Sequence, residues 1–277
     1  MELAGIEMGE AEGSPFSIVF IHGWLDNAAS FQVLLSKLHN SLPDVHLYAP
    51  DLPGHGLSKH KGEYYFYPFH DYLDDIHQVI SALPTKSCVL VGHSLGGLIA
   101  SCYSAAFPEK VSALVQIEGK GPLSELPELS LKRLRNGLEN RERMRKKKRK
   151  GYPTYQSALA HKSKRAKLPE SLVEPIVQRG IEELDGHWFW RADTKLSCQS
   201  LFRMSHEQAQ EIVNHILCPY HIVLGHDGFE HLRNNGNVIL PAQSVIHTVR
   251  GGHYCHLESP DAIKQIILNV VKDVRSE

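Results

Sequence analysis

Apolar positions along this chain switch repeatedly between the two-residue period of strands and the 3.6-residue period of helices. Phe16-Ser17-Ile18-Val19-Phe20-Ile21 is a short apolar run rich in β-branched and aromatic residues, the pattern of a strand buried on both faces. Residues 27–40 follow with Phe31, Leu34, Leu35 and Leu38 at helical spacing, and 45–50 reads as a second strand. Over 70–83, Tyr72, Leu73, Ile76, Val79, Ile80 and Leu83 fall mostly on one helical face. A strand at 87–91, a helix at 95–106 and a strand at 113–117 come next. After a long interruption the pattern resumes with strands at 220–224 and 244–249 and a final helix over 260–273. Continuous apolar strands separated by helices predict a mostly parallel, doubly wound sheet covered on both faces, an α/β fold.

The interruption, 120–212, is polar, largely helical in pattern, and punctuated by Pro122, Pro127, Pro153, Pro169 and Pro175 as breakers. An insertion there would cover the carboxyl edge of the sheet, where α/β folds place their sites. The expected organisation is therefore a core of 1–119 and 213–277 with a helical cap of 120–212. No internal repeat is evident.

Composition changes this picture little. With 42% hydrophobic and 22% charged residues and a net charge of −1, the chain matches ordinary soluble globular proteins, and its overall charge points to no partner. Residues 1–15 are acidic rather than charged-then-apolar, so no signal peptide is expected, and no apolar stretch reaches membrane-spanning length. Cys88, Cys102, Cys198, Cys218 and Cys255 lack CxxC spacing and read as reduced intracellular thiols. These readings predict a cytoplasmic protein.

One local charge anomaly stands out. Residues 141–150 carry eight basic side chains, and from Lys132 to Lys167 there are 15 Lys or Arg against Glu139 and Glu142. Three functional readings are open: a nuclear-import signal, weak contact with an anionic membrane surface, or an acidic ligand. The plain alternative is a solvated cap helix. No aromatics interleave with the charge as a single-strand nucleic-acid groove requires, so no nucleic-acid partner is expected.

The chemistry-bearing signal is Gly92-His93-Ser94-Leu95-Gly96, a G-x-S-x-G run directly after one predicted strand and directly before a helix. So tight a strand-to-helix turn strains the serine backbone, and side chains two positions either side would clash. Gly92 and Gly96 remove that clash, and Gly97 lets the helix pack close. Ser94 then stands at the sheet mouth as a candidate nucleophile. His253, after Gly251-Gly252 in the loop between the last strand and the last helix, is the candidate base, with His256 as its competitor. Asp227 and Glu118, each just beyond a strand end, are both candidates for the carboxylate that orients the imidazole. Acyl transfer also needs oxyanion donors, for which the backbone N–H groups of Leu95 and Trp24 are placed. His221, His226 and His231, spaced by five, do not share a helical face, so no metal site is expected.

These motifs together resemble the α/β-hydrolase superfamily and, more narrowly, the serine hydrolase-like proteins. The resemblance rests on the string from His22 to Phe31 (HGWLDNAASF), Asp51-Leu52-Pro53-Gly54-His55-Gly56-Leu57-Ser58, Gly92 to Gly97, Ile117-Glu118-Gly119-Lys120-Gly121-Pro122, Trp188-Phe189-Trp190-Arg191-Ala192-Asp193 and His253 to Pro260. It implies the α/β-hydrolase fold with a cap inserted after the sixth strand. It also implies cofactor-free hydrolysis of a small ester, thioester or amide through an acyl-enzyme on Ser94, with His253 as base. The dehalogenase and epoxide hydrolase branches of the fold use Asp where this chain has Ser94. Trp188, Phe189 and Trp190 suit either an acyl pocket or the cap core.

The chain departs from the family pattern in two places. Relatives have a longer N-terminus, so the sheet is expected to lack an edge strand or two. The family's usual Asp after the sixth strand is here Glu118. The rival reading is a catalytically weak hydrolase-fold protein kept for binding or scaffolding. Relatives are associated with peroxisomes or perinuclear vesicles, but Arg275-Ser276-Glu277 is no Ser-Lys-Leu-type peroxisomal tail.

Overall fold

The computed structural model describes residues 2–147, 149–233 and 238–276. Its strands are β1 (Gly5–Met8), β2 (Ser17–Ile21), β3 (His46–Pro50), β4 (Cys88–His93), β5 (Val111–Ile117), β6 (Ile181–Leu184), β7 (His187–Trp190), β8 (Tyr220–Gly225) and β9 (Ser244–Val249). Seven of them form one sheet in the order β1-β3-β2-β4-β5-β8-β9, while β6 and β7 make a separate antiparallel hairpin. Every neighbour in the large sheet is parallel except β1, which runs antiparallel to β3 with Ile6 opposite Ala49.

The strand at β1 corrects part of the N-terminal expectation. Only four residues are needed for an edge strand, and here Ile6 and Met8 turn their side chains onto the core while Gly5 and Glu7 stay exposed. With a single strand preceding the first core strand, the insertion follows the fifth strand in chain order rather than the sixth.

The helices are α1 (Gln32–His39), α2 (Asp71–Ala82), α3 (Leu95–Ala106), α4 (Ser130–Arg145), α5 (Tyr155–Ala166), α6 (Glu170–Gly180), α7 (His206–Asn214), α8 (Glu230–Arg233), α9 (Cys255–Glu258) and α10 (Pro260–Val274). Alternate residues of β2 divide between the two layers they create. Ile18 and Phe20 pack with Leu34, Leu35 and Leu38 of α1 and Ile263 and Ile267 of α10. Val19 and Ile21 pack on the opposite face with Ile76 of α2 and Ile99 and Tyr103 of α3. Each such fully buried side chain stabilises the fold by about 1.5–3 kcal/mol, which is why these strands show no polar alternation.

Between β5 and β8 lie α4, α5, α6, the hairpin and α7. Helix α5 starts at a capping box in which Thr154 Oγ1 accepts from Ser157 N–H. Ala158 and Leu159 of α5 and Val173 and Val177 of α6 form a small apolar cluster with Trp188, and Tyr254 and Leu257 of the core pack against it. Pro175, expected as a breaker, lies inside α6, where the burial of Val173, Ile176 and Val177 holds the helix together. Helix α7 spans the boundary expected near 212, and its Ala209 and Val213 pack into the main core beside Tyr220.

The inserted segment is tied to the loops at the carboxyl ends of the strands by buried polar contacts. Lys162 pairs with Asp26, Arg179 Nε donates to Asp51 Oδ2 at 2.9 Å, Asn27 Nδ2 donates to Ile176 O at 2.8 Å, and Trp24 Nε1 donates to Leu196 O at 2.9 Å. The basic run is partly built into the same segment. The guanidinium groups of Arg141 and Arg145 lie over the Phe66 ring, and Arg149 pairs with Glu182. Lys148, within that run, lies outside the described residues. Among the described residues no helix is long and apolar enough to cross a membrane.

Candidate active site

Strand β4 ends at His93 and α3 begins at Leu95, so Ser94 makes the whole turn, with φ 50° and ψ −116°. A side chain in that backbone region costs on the order of 1–3 kcal/mol and persists only where its surroundings hold it. The surroundings are visible. Ser94 N–H donates to Ile117 O at 2.9 Å, a Cβ on Gly92 would overlap the backbone of Gly96 and Gly97, and one on Gly96 would overlap the carbonyl of Ile21. A Cβ on Gly97 would sit 2.7 Å from Gln116 Cγ. The clash inferred for this motif therefore has named partners. Leu25 and Glu118 also have positive φ, 59° and 51°.

Of the two carboxylates considered for the site, the structure brings one to the imidazole. Glu118 directly follows β5 with its side chain buried, and Oε2 lies 3.3 Å from His253 Nδ1. Its Oε1 accepts from Gly225 N–H at 2.7 Å, and Oε2 also accepts from Phe229 N–H at 3.3 Å. Burial pushes this carboxyl up, but the bonds from His253, Gly225 and Phe229 outweigh it and hold it below the ordinary carboxylate value. Asp227 does not reach His253. It stands on the surface with 75% of its side chain exposed and accepts from the adjacent His226 Nδ1 at 2.9 Å. Its backbone N–H donates to Gly251 O at 2.9 Å.

The two histidines separate as clearly. His253 is a quarter exposed and lines the same cavity as Ser94. His256 is buried, its two ring nitrogens have no hydrogen-bond partner, and its ring packs 4.1 Å from that of His93. Burial holds the His256 imidazole well below its ordinary value. Sequence reasoning passed over His93. Burial holds it neutral down to about 4, and its Nε2–H donates to His253 O at 2.8 Å, fixing the loop that carries the candidate base.

The cavity holds about 480 Å³. Its floor is Gly23, Trp24, Leu25, Asp26, His93 and Ser94, His253 and Tyr254 close one side, and Tyr152, Lys162, Trp190 and Ala192 come from the inserted segment. Ser94 and His253 both line this space, with no direct hydrogen bond between their side chains. Leu95 is the first residue of α3, so its N–H has no acceptor within the helix. Trp24 lies across the cavity floor, its indole anchored to Leu196 O. The aromatic run of the insertion divides: Trp190 lines the cavity, Trp188 packs in the small cluster, and Phe189 lies under the Arg149 guanidinium. Among the described residues no three His, Cys, Asp or Glu converge as metal ligands would.

Asp26 and Lys162 were also missed. Asp26 is buried, and its Oδ1 takes Lys162 Nζ and the Tyr254 phenol, the latter at 3.4 Å. The only hint in the sequence was that Asp26 falls inside the HGWLDN string; Lys162 carries no pattern that marks it as buried.

A sheet of this order, a strained serine between β4 and α3 and a buried carboxylate paired with a partly exposed imidazole are the pattern of the α/β-hydrolase fold. The family model for that fold matches residues 17–260, and the chain belongs to this family. It is 26% identical over 283 residues to a serine hydrolase-like protein of Danio rerio, covering 98% of this chain and 85% of the relative. It is 29% identical over 281 residues to a probable serine hydrolase of Drosophila melanogaster, covering 96% of this chain and 83% of the relative. A solved hypothetical protein of Pseudomonas aeruginosa PAO1 superposes with a TM-score of 0.85 at 27% identity, over 99% of this chain and 96% of that one.

Proposed function

We propose that this protein is a serine hydrolase cleaving a small ester, thioester or amide through an acyl-enzyme on Ser94. The observation that carries the reading is the buried Glu118 carboxylate paired with His253, whose ring opens onto the cavity where Ser94 sits. The hydrolase names of its relatives agree with it.

In the proposed reaction Ser94 Oγ attacks the substrate carbonyl carbon and its proton passes to His253 Nε2. His253 Nδ1–H stays donated to Glu118, whose charge stabilises the imidazolium that forms. The negative oxygen of the tetrahedral intermediate lies between the N–H groups of Leu95 and Trp24, near the positive end of α3. Collapse breaks the bond to the leaving group, which takes the proton from His253. Water then repeats the sequence on the acyl-enzyme. The inserted segment screens the site and shapes the acyl or leaving-group pocket, as in the cap role expected for 120–212.

The test is intact-mass spectrometry after mixing the protein with activated 4-nitrophenyl esters of graded chain length. The reading predicts a transient acyl adduct that maps to the peptide containing Ser94. Turnover with the adduct on another residue, or none with any ester, contradicts it.

A further inference from the structure

The cavity above Ser94 is unevenly charged. Lys147, His161, Lys162 and Arg165 line it, and the carboxylates in the same lining, Asp26 and Asp193, each pair with a lysine, although Asp26 Oδ2 has no hydrogen-bond partner. Asp26 takes Lys162, and Asp193 takes Lys195 Nζ at 3.3 Å and the Tyr67 phenol at 2.9 Å. Glu118 is buried behind His253. No carboxylate among the described residues pairs with Lys147 or Arg165, so two solvent-exposed cations border the cavity without a counter-charge.

Tyr152, His161 and Trp190 line the same side of the chain's inserted segment. Trp190 Nε1–H donates to Tyr152 Oη at 3.4 Å, and that oxygen lies 2.9 Å from His161 Nδ1. Burial and then the charges of Arg165, Lys150 and Lys164 hold the His161 imidazole below its ordinary value, which marks the local field as positive. A neutral alkyl chain in this space would displace water from ammonium and guanidinium groups and return no counter-charge.

We infer that the substrate of Ser94 is an ester or thioester bearing a second, anionic group, a carboxylate or a phosphate, that Lys147 and Arg165 engage while its carbonyl lies at Ser94. This rests on the serine hydrolase reading above and adds the substrate class. Arg165 offers a planar fork matched to either oxyanion, and Lys147 a mobile point charge.

Two matched pairs test it and separate the sources of the anion. The carboxylate pair is the 4-nitrophenyl monoester of adipic acid against 4-nitrophenyl hexanoate. The phosphate pair is hexanoyl-coenzyme A against the hexanoyl thioester of N-acetylcysteamine. The expected result is a preference in kcat/KM of on the order of tenfold for the anionic member of at least one pair. That ratio should fall to about one in Lys147→Gln/Arg165→Gln. It should persist in Lys132→Gln/Lys272→Gln, which removes two charges away from the cavity. Fluorophosphonate labelling of Ser94 checks that each variant keeps a folded site, and the single variants read the same ratio if the double variant does not label. Equal or better turnover of both neutral members overturns the inference while leaving the hydrolase reading intact. So does a preference that survives in Lys147→Gln/Arg165→Gln. An unlabelled wild type that turns over none of the four removes both.

Discussion

Replacing Glu118 by Gln keeps the size of the side chain and removes its charge. With Oε2 3.3 Å from His253 Nδ1, a carboxylate and an imidazolium attract by about 5 kcal/mol at an effective dielectric constant of about 20. Because His253 is a quarter exposed, solvent screens part of this, and about 3–4 kcal/mol is a fair value for what the transition state loses. At about 1.4 kcal/mol per factor of ten, the loss in kcat/KM is on the order of 10²–10³. The hydrogen bonds point the same way. Glu118 accepts from Gly225 N–H, Phe229 N–H and His253. An amide has one oxygen, so its NH₂ must oppose either Gly225 N–H or both Phe229 N–H and His253 Nδ1–H, and in the second orientation it favours the wrong imidazole tautomer. The assay is the initial rate with a 4-nitrophenyl ester together with the rate of fluorophosphonate labelling, both expected to fall together. Asp227→Asn, at an exposed carboxylate bonded to His226, should change either rate by less than about threefold. A Glu118→Gln protein within tenfold of wild type beside an Asp227→Asn protein that loses activity would refute the reasoning and return Asp227 to the role.

Other substitutions read the frame around the site. Gly96→Ala should fail to give a soluble folded protein, or show a urea midpoint well below wild type by circular dichroism, because its methyl group overlaps Ile21 O; a normal midpoint would contradict the packing account. Removing one partner of the buried Asp26–Lys162 pair, as in Lys162→Met, should cost about 3–5 kcal/mol in denaturant unfolding, and Asp26→Asn in the same chain should restore part of it. His93 should make stability depend on pH. Its folded value is about 4 against 6.5 when exposed, so the unfolded chain takes up the proton first and stability is lost as pH falls from about 6.5 towards 4. The slope of the urea midpoint over that window should be shallower in His93→Gln, and an unchanged slope would show that other groups carry it.

The core was legible because strands buried on both faces leave unbroken apolar runs. The runs at β2, β4 and β8 fall where Val19, Leu90 and Ile222 are fully buried. Ser94 was legible for a related reason: the steric needs of its turn are written locally, in glycines two residues either side. The carboxylate was not. Asp227 and Glu118 both follow strands at the same sheet edge, and only the turn that commits Asp227 N–H to Gly251 O, with its side chain on the surface, separates them. Likewise His253 and His256 differ by three positions, and their fates depend on packing against His93 that no spacing rule reveals. Edge strand β1 was missed because four residues with two half-buried apolar side chains carry almost no periodic signal. The basic run was read as one object. Its residues in fact divide among ring contacts on Phe66, an ion pair with Glu182 and the cavity wall at Lys147.

Whether Ser94 is an activated nucleophile is measured in one step by a fluorophosphonate probe. Labelling of the folded wild-type protein that disappears in both Ser94→Ala and His253→Ala is the predicted result. A folded wild type that takes no label, or a label that persists without Ser94, would contradict it.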